Sequence, residues 1–171
     1  VLLMESKSIL KTITRNALVA CIYLVITIAT SSFSFMGIQF RIAEVLVLLC
    51  FFRRDYIIGI TLGTLLSNMF SPMAIIDIPF GTLATLLSCL LVTFSPKLLI
   101  ACFAPILING VIVGLELMWF FELPFWTQFL FVSLGEATVL LALGYPLFMI
   151  LARKENVRNT LGFNLKSNFK W

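Results

Sequence analysis

Arg41 and Glu44 stand three residues apart in Gln39-Phe40-Arg41-Ile42-Ala43-Glu44, heading an apolar run that ends at Phe52. On a helix that spacing sets both on one face. Ionisable groups inside a membrane helix are costly, and they mark a pocket, a path or a partner. Asn68, Asp77, Asn109, Glu116 and Glu136 also lie within or at the ends of apolar runs. Asn109 and Glu116, seven apart, share a helical face. The set holds four carboxylates, Glu44, Asp77, Glu116 and Glu136, against one arginine. Arg41 and Glu44 can form a self-contained ion pair. Asp77, Glu116 and Glu136 then have no cation left. Each must be protonated, solvated in a cavity or answered by a ligand. The chemistry this favours is capture of a small molecule that is rich in donors or positively charged. Phe33, Phe35, Phe40, Phe80, Trp119, Phe120 and Trp126 lie nearby in the chain. One or two of them would stack on a flat ring, and the rest would pack or face lipid.

The elements that carry these residues follow from composition. Of 171 residues, 61% are hydrophobic and 12% charged, and the mean hydropathy is +1.09. That is the signature of a polytopic membrane protein. A span takes ~20 apolar residues, so the length allows about six or seven spans and no soluble domain. There are no histidines, which excludes zinc–histidine sites, Ser-His-Asp triads and histidine proton relays. Cys21, Cys50, Cys89 and Cys102 are scattered through apolar runs without a CxxC pair. They read as buried free thiols acting as small apolar residues, and no metal or cofactor is expected.

Six helices are expected, at about 9–30, 41–52, 56–70, 80–93, 98–120 and 127–151. A signal peptide competes for the first run, because Ala29-Thr30-Ser31-Ser32 is small and polar, but further spans follow it. Met4 is a candidate initiator. A polar connection is expected from Ser31 to Gln39, and a loop or re-entrant stretch between Ser71-Pro72 and Asp77-Ile78-Pro79. Gly144 and Pro146 should bend the last helix. A polar, basic tail runs from Asn156 to Trp171. Alternating six spans puts Lys7, Lys11, Arg15, Arg53, Arg54, Lys97, Arg153, Lys154, Arg158, Lys166 and Lys170 on one side. The positive-inside rule makes that side cytoplasmic, with both termini there. Arg41 alone lies opposite, and every polar residue of the set falls in the outer half or the middle of the bilayer. Glu136 is roughly 15 Å deep from its helix's outer end at about 1.5 Å per residue.

Small residues mark helix contacts. Gly59 with Gly63, and Gly110 with Gly114, make GxxxG pairs; Ala84 with Ser88 and Ala17 with Cys21 repeat the spacing. Internal packing is expected for the glycine pairs, whereas the first helix can present its small residues to a partner. The chain has no GxxxxGK[ST], GxSxG or HExxH motif, so it is not expected to hydrolyse ATP or to act as an enzyme.

At these residues the sequence resembles the QueT family. Asn16-Ala17-Leu18-Val19-Ala20 and Gln39-Phe40-Arg41-Ile42-Ala43-Glu44 carry the likeness. So do Ile58-Gly59-Ile60-Thr61-Leu62-Gly63, Asn68-Met69-Phe70-Ser71-Pro72 and the stretch from Asp77 to Thr85. Asn109-Gly110 to Glu116, Gly135-Glu136 and Gly144-Tyr145-Pro146 complete it. The match covers about residues 10 to 152. The resemblance implies a substrate-binding S component of an energy-coupling-factor (ECF) transporter. It implies a six-helix bundle that captures a queuosine precursor, a 7-deazaguanine base, from outside. Implied partners are a transmembrane coupling protein and two cytoplasmic ATPases. Such proteins commonly dock through an AxxxA strip on helix 1; here Ala17 matches its first position and Cys21 stands at the second.

The implied ligand suits the residues. A deazaguanine edge presents an N–H and an amine that one carboxylate accepts together, a role for Glu116 or Glu136. An aminomethyl group would add a cation for Glu44 or Asp77. Arg41 would donate to the ring carbonyl or orient Glu44, and Asn68 and Asn109 supply adaptable hydrogen bonds. The expected protein is thus an all-α, six-span bundle of the cytoplasmic membrane. Residues 1–155 form its substrate-binding domain and 156–171 a basic cytoplasmic tail. The alternatives are a stand-alone proton-coupled carrier, with Glu136 as the protonatable group, and a structural protein whose polar groups pair internally.

Overall fold

The computed structural model describes residues 2–31 and 40–163, with side chains from residue 9 onward in the first stretch. Among these residues every regular element is a helix. They are α1 (Leu2–Ala29), α2 (Ile42–Phe52), α3 (Tyr56–Asn68), α4 (Ala74–Phe94), α5 (Leu98–Phe121), α6 (Phe125–Arg153) and α7 (Glu155–Leu161). Stretches within α1 (from Ile9), α4, α5 and α6 are long and apolar enough to cross a membrane, while α2 and α3 are shorter apolar helices. The expected connection through Phe33, Phe35 and Gln39 lies outside the described residues. So do Lys166, Lys170 and the side chain of Lys7.

Local chemistry sets most helix ends. α2 stops where Arg53 turns extended. Ser95, the residue before Pro96, is extended and ends α4. α5 ends at Glu122 in the left-handed conformation, φ 54°, and Pro124 then caps the start of α6. The start of α4 differs from the sequence expectation. Asp77-Ile78-Pro79 was expected in a loop ahead of a helix at 80, yet α4 begins at Ala74 and contains all three. Pro79 is the sixth residue of the helix, so it leaves the Ile75 carbonyl without its usual donor. The Ser71 hydroxyl donates to the Asp77 carboxylate and accepts from the Met73 N–H, which ties down the first turn. A carboxylate there also complements the helix dipole.

α2 is the centre of the bundle. It touches α1, α3, α4, α5 and α6, and nearly all its residues are buried. A helix that is apolar all round belongs inside protein. Its first seven residues, Ile42–Leu48, form a 3-10 helix, longer than the usual 3–4-residue run. At about 2 Å per residue, those seven rise about 14 Å instead of about 10 Å in α form. The stretch gives a short segment more depth. The outer helices carry exposed apolar side chains, among them Val25, Ile58, Leu83, Leu107, Leu134 and Ile150.

Both GxxxG pairs make internal contacts, as expected. Gly59 and Gly63 lie against Asn16, Ala20 and Tyr23 of α1; Gly110 and Gly114 lie against Phe125, Phe129 and Ser133 of α6. Gly59 also donates its N–H to Asn16 Oδ1 at 2.8 Å, answering a donor in the first turn of α3. A Cβ on Gly59 would stand 2.6 Å from the Asn16 carbonyl oxygen and 2.9 Å from its Cα. Backbone cannot yield as a flexible side chain does. Gly59→Ala should therefore destabilise the fold by about 1–3 kcal/mol, read as a lower unfolding midpoint in detergent.

In α6, Thr138–Gly144 widens to a π-helix just before Pro146. A proline has no N–H and its ring crowds the carbonyl four residues back, so a wider turn relieves both. Gly144 lets this segment approach α2, because a Cβ there would meet Leu48 Cδ1 at 3.0 Å. α7 covers the first part of the expected tail. Past Gly162, Phe163 is buried and stacks on Phe52 with ring centroids 4.3 Å apart. Phe52 stacks in turn on Phe148. One thiol departs from expectation: Cys21 is exposed, while Cys50, Cys89 and Cys102 are buried. Cys21 and Ala17 both fall on the outward side of α1, and the contacts with α3 use Asn16, Ala20 and Tyr23 instead.

Candidate functional site

The seven polar residues come from five helices and their joints. Arg41 precedes α2 and Glu44 lies in its first turn; Asn68 ends α3. Asp77 is in the first turn of α4, Asn109 and Glu116 are on α5, and Glu136 is on α6 just before the π segment. All seven are buried, none more than 5% exposed.

The 3-10 turn sets the first pair. Glu44 N–H donates to the Arg41 carbonyl at 2.9 Å. Three residues per turn then stack position i over i+3. Arg41 Nη1 lies 4.0 Å from Glu44 Oε1, and Nη2 donates to Asn68 Oδ1 at 3.1 Å. Asn68 Nδ2 donates to the Asp77 carbonyl at 2.8 Å. Gly81 makes room for this junction, since a Cβ there would stand 2.7 Å from Asn68 Nδ2. Arg41 is within electrostatic range of Glu44, Asp77, Glu116 and Glu136. The expected set is therefore one cluster around one guanidinium.

The carboxylates are answered unequally. Glu44 Oε1 receives the Tyr23 hydroxyl at 2.5 Å and the Thr85 hydroxyl at 3.2 Å, while Oε2 has no hydrogen-bond partner. Glu136 Oε1 accepts from Asn109 Nδ2 at 3.1 Å, and its Oε2 is likewise unanswered. Glu116 faces Asp77, and neither Glu116 oxygen has a hydrogen-bond donor. Buried polar atoms in native proteins are nearly all hydrogen-bonded. Four buried acceptor oxygens without a side-chain donor thus lie on Glu44, Glu116 and Glu136 of this cluster. Among the described residues no three of His, Cys, Asp and Glu are placed to hold a metal ion.

An open depression of about 450 Å³ is lined by Pro72, Met73, Ala74, Ile75 and Ile76, the segment leading into Asp77. A second, of about 410 Å³, lies at the far end of α2 and touches none of the seven residues. Of the expected aromatics, Trp119, Phe120 and Trp126 are exposed and do not line the cluster. Phe80 packs edge-on to Phe120, and Phe40 is half-buried against the core.

Tyr23, Thr85 and Ser71 were missed in the sequence reading. Tyr23 is wholly buried and carries the shortest contact to Glu44. Its signal was a phenol in the middle of an otherwise apolar run. Thr85 and Ser71 carry no signal of their own, because hydroxyls in apolar helices usually bond their own backbone.

The family model described as the QueT transporter matches residues 13–153. A relative described as "Queuosine precursor transporter QueT", from Lactococcus lactis subsp. cremoris (strain MG1363), is 39% identical over 72 residues. That alignment covers 41% of this chain and 42% of the relative, so it spans less than half the relative's length. No solved structure matches the chain significantly.

Proposed function

The chain belongs to the QueT transporter family, and on that premise we propose that it captures a queuosine precursor, a 7-deazaguanine base, as the S component of an ECF importer. The carrying observation is the buried cluster around Arg41, with unanswered oxygens on Glu44, Glu116 and Glu136. A deazaguanine edge brings adjacent N–H donors, and an aminomethyl substituent brings a cation. Glu116 takes the guanine-like edge, with both oxygens free to accept. Glu44 Oε2 and Glu136 Oε2 receive the remaining donors. Arg41 offsets the carboxylate charge and donates to the ring carbonyl, while Asn68 and Asn109 hold Arg41 and Glu136 in place.

In this reading the six apolar helices cross the cytoplasmic membrane with both termini inside. The arginine distribution supports that orientation. Arg15 donates to the Asn159 carbonyl and Arg158 to that of Ala152, and Arg15 and Arg53 both approach Gly162. Three cations thus gather at the end of α2 opposite Arg41, and basic residues favour the cytoplasmic side. The ligand site then opens outward. The exposed side of α1 with Ala17 and Cys21 receives the transmembrane coupling protein, and two cytoplasmic ATPases drive uptake. The chain itself performs no catalysis.

The test is titration of the purified protein with an aminomethyl-substituted 7-deazaguanine. Saturable binding with an upward thermal shift is expected; no shift at any concentration overturns the ligand assignment. Vesicle uptake separates the energy sources. Transport that requires ATP and the partner subunits supports the S-component reading, and transport by a proton gradient alone supports a stand-alone carrier.

A further inference from the structure

Glu44 is held by one of its two oxygens. Oε1 accepts the Tyr23 hydroxyl at 2.5 Å and the Thr85 hydroxyl at 3.2 Å, and Arg41 Nη1 lies 4.0 Å from the same atom. Oε2 is buried and has no hydrogen-bond partner. The two hydroxyls come from different helices, Tyr23 from α1 and Thr85 from α4. Thr85 departs from the local habit of its residue type. Thr27, Thr64 and Thr93 return their hydroxyls to the carbonyl four residues back in their own helices, as threonine in an apolar helix usually does. Thr85 gives its hydroxyl to Glu44 instead. Tyr23 is fully buried and stands tight against α3, because a Cβ on Gly63 would lie 2.9 Å from Tyr23 Cβ. The missing side chain at Gly63 lets the tyrosine take this place.

We propose that Tyr23 and Thr85 are positioning residues that make the site prefer a ligand with a cationic arm. The proposal rests on the cluster around Arg41 being the ligand site. A carboxylate without other partners can turn both oxygens to a neighbouring guanidinium. Two hydroxyls on Oε1 oppose that turn. They commit one oxygen to the protein and leave Oε2 for a donor that the ligand brings. An ammonium there makes a charge-assisted hydrogen bond, whereas a methyl group of the same size leaves Oε2 buried and unanswered. Asp77 suits the arm less well, because the Ser71 hydroxyl already holds its carboxylate. The aminomethyl arm therefore goes to Glu44, and the two hydroxyls set how strongly it is preferred.

The experiment titrates the purified chain with two compounds, 7-aminomethyl-7-deazaguanine and its uncharged isostere with an ethyl group in place of the aminomethyl. The parent should bind the aminomethyl compound more tightly. Tyr23→Phe should lose about 10-fold or more in affinity for it, the order of a hydrogen bond to a charged group, and keep its affinity for the ethyl compound. Thr85→Val should shift the preference the same way, and Thr85→Ser, which keeps the hydroxyl, should restore it. In a Glu44→Gln background, Tyr23→Phe should cause no further loss of preference. Each preference is a ratio measured on one preparation, so a change in the folded fraction cancels. Equal losses for both compounds in Tyr23→Phe make the tyrosine merely structural and overturn the proposal. So does an unchanged preference in that variant, or a parent that binds both compounds equally. A parent that binds neither overturns the ligand-site reading itself, and this proposal with it.

Discussion

Glu116→Gln lowers affinity for the aminomethyl-substituted 7-deazaguanine about 100-fold, near 2.7 kcal/mol, and leaves the empty protein as stable as before or more so. The two halves of this outcome have one cause. Glu116 is 1% exposed, neither of its oxygens has a hydrogen-bond partner, and it faces a second carboxyl, Asp77. In the empty protein it contributes desolvation cost and repulsion. Removing a buried charge that lacks a partner relieves that cost. With ligand bound, the carboxylate accepts charge-assisted hydrogen bonds, each worth about 1.5–3 kcal/mol. An amide keeps the shape and loses one acceptor. Titration calorimetry and thermal unfolding of the same preparation read both quantities. If Glu116→Gln loses stability and binding together, the residue is structural and its place in the site falls.

Arg41→Ala acts in the opposite way and should cost about 3–5 kcal/mol of stability as well as all measurable binding. Among the described residues, Arg41 is the cation within range of Glu44, Asp77, Glu116 and Glu136, and its Nη2 donates to Asn68. Truncation leaves four buried carboxyls without it and removes the donor to Asn68 Oδ1. Arg41→Lys keeps the charge but not the planar fork that reaches Asn68 and Glu44 from one group. It should retain most of the stability and lose most of the binding. Unfolding midpoints of the two variants, compared with the parent, check the ordering. Equal stability of Arg41→Ala and parent would mean that the guanidinium does not organise the cluster.

Much of this was legible because membrane chemistry makes polar residues conspicuous. Asn109 and Glu136 were each noticeable as a polar group in an apolar run, and the structure places them 3.1 Å apart. The glycine pairs were equally plain, since a missing side chain at helical spacing has few other uses. Three matters were hidden. Asp77 sits inside α4 because Ser71 ties down the first turn, and proline rules cannot foresee a partner outside the helix. The 3-10 and π stretches depend on what packs against them, here Gly144 on Leu48, and leave no periodicity to read. The partner of Tyr23 is a tertiary fact, since only the fold brings the phenol to Glu44.

The placement of α2 also bears on how such a chain is made. A segment surrounded by protein on every side has no lipid-facing stripe of its own. It carries a guanidinium and a carboxylate at one end, and ionisable groups in a lone membrane helix are costly. Leaving the translocon alone would therefore be unfavourable for it. Tyr23, Asn68 and Thr85 come from three different neighbours of α2, so the polar cluster exists only once those helices have closed around it.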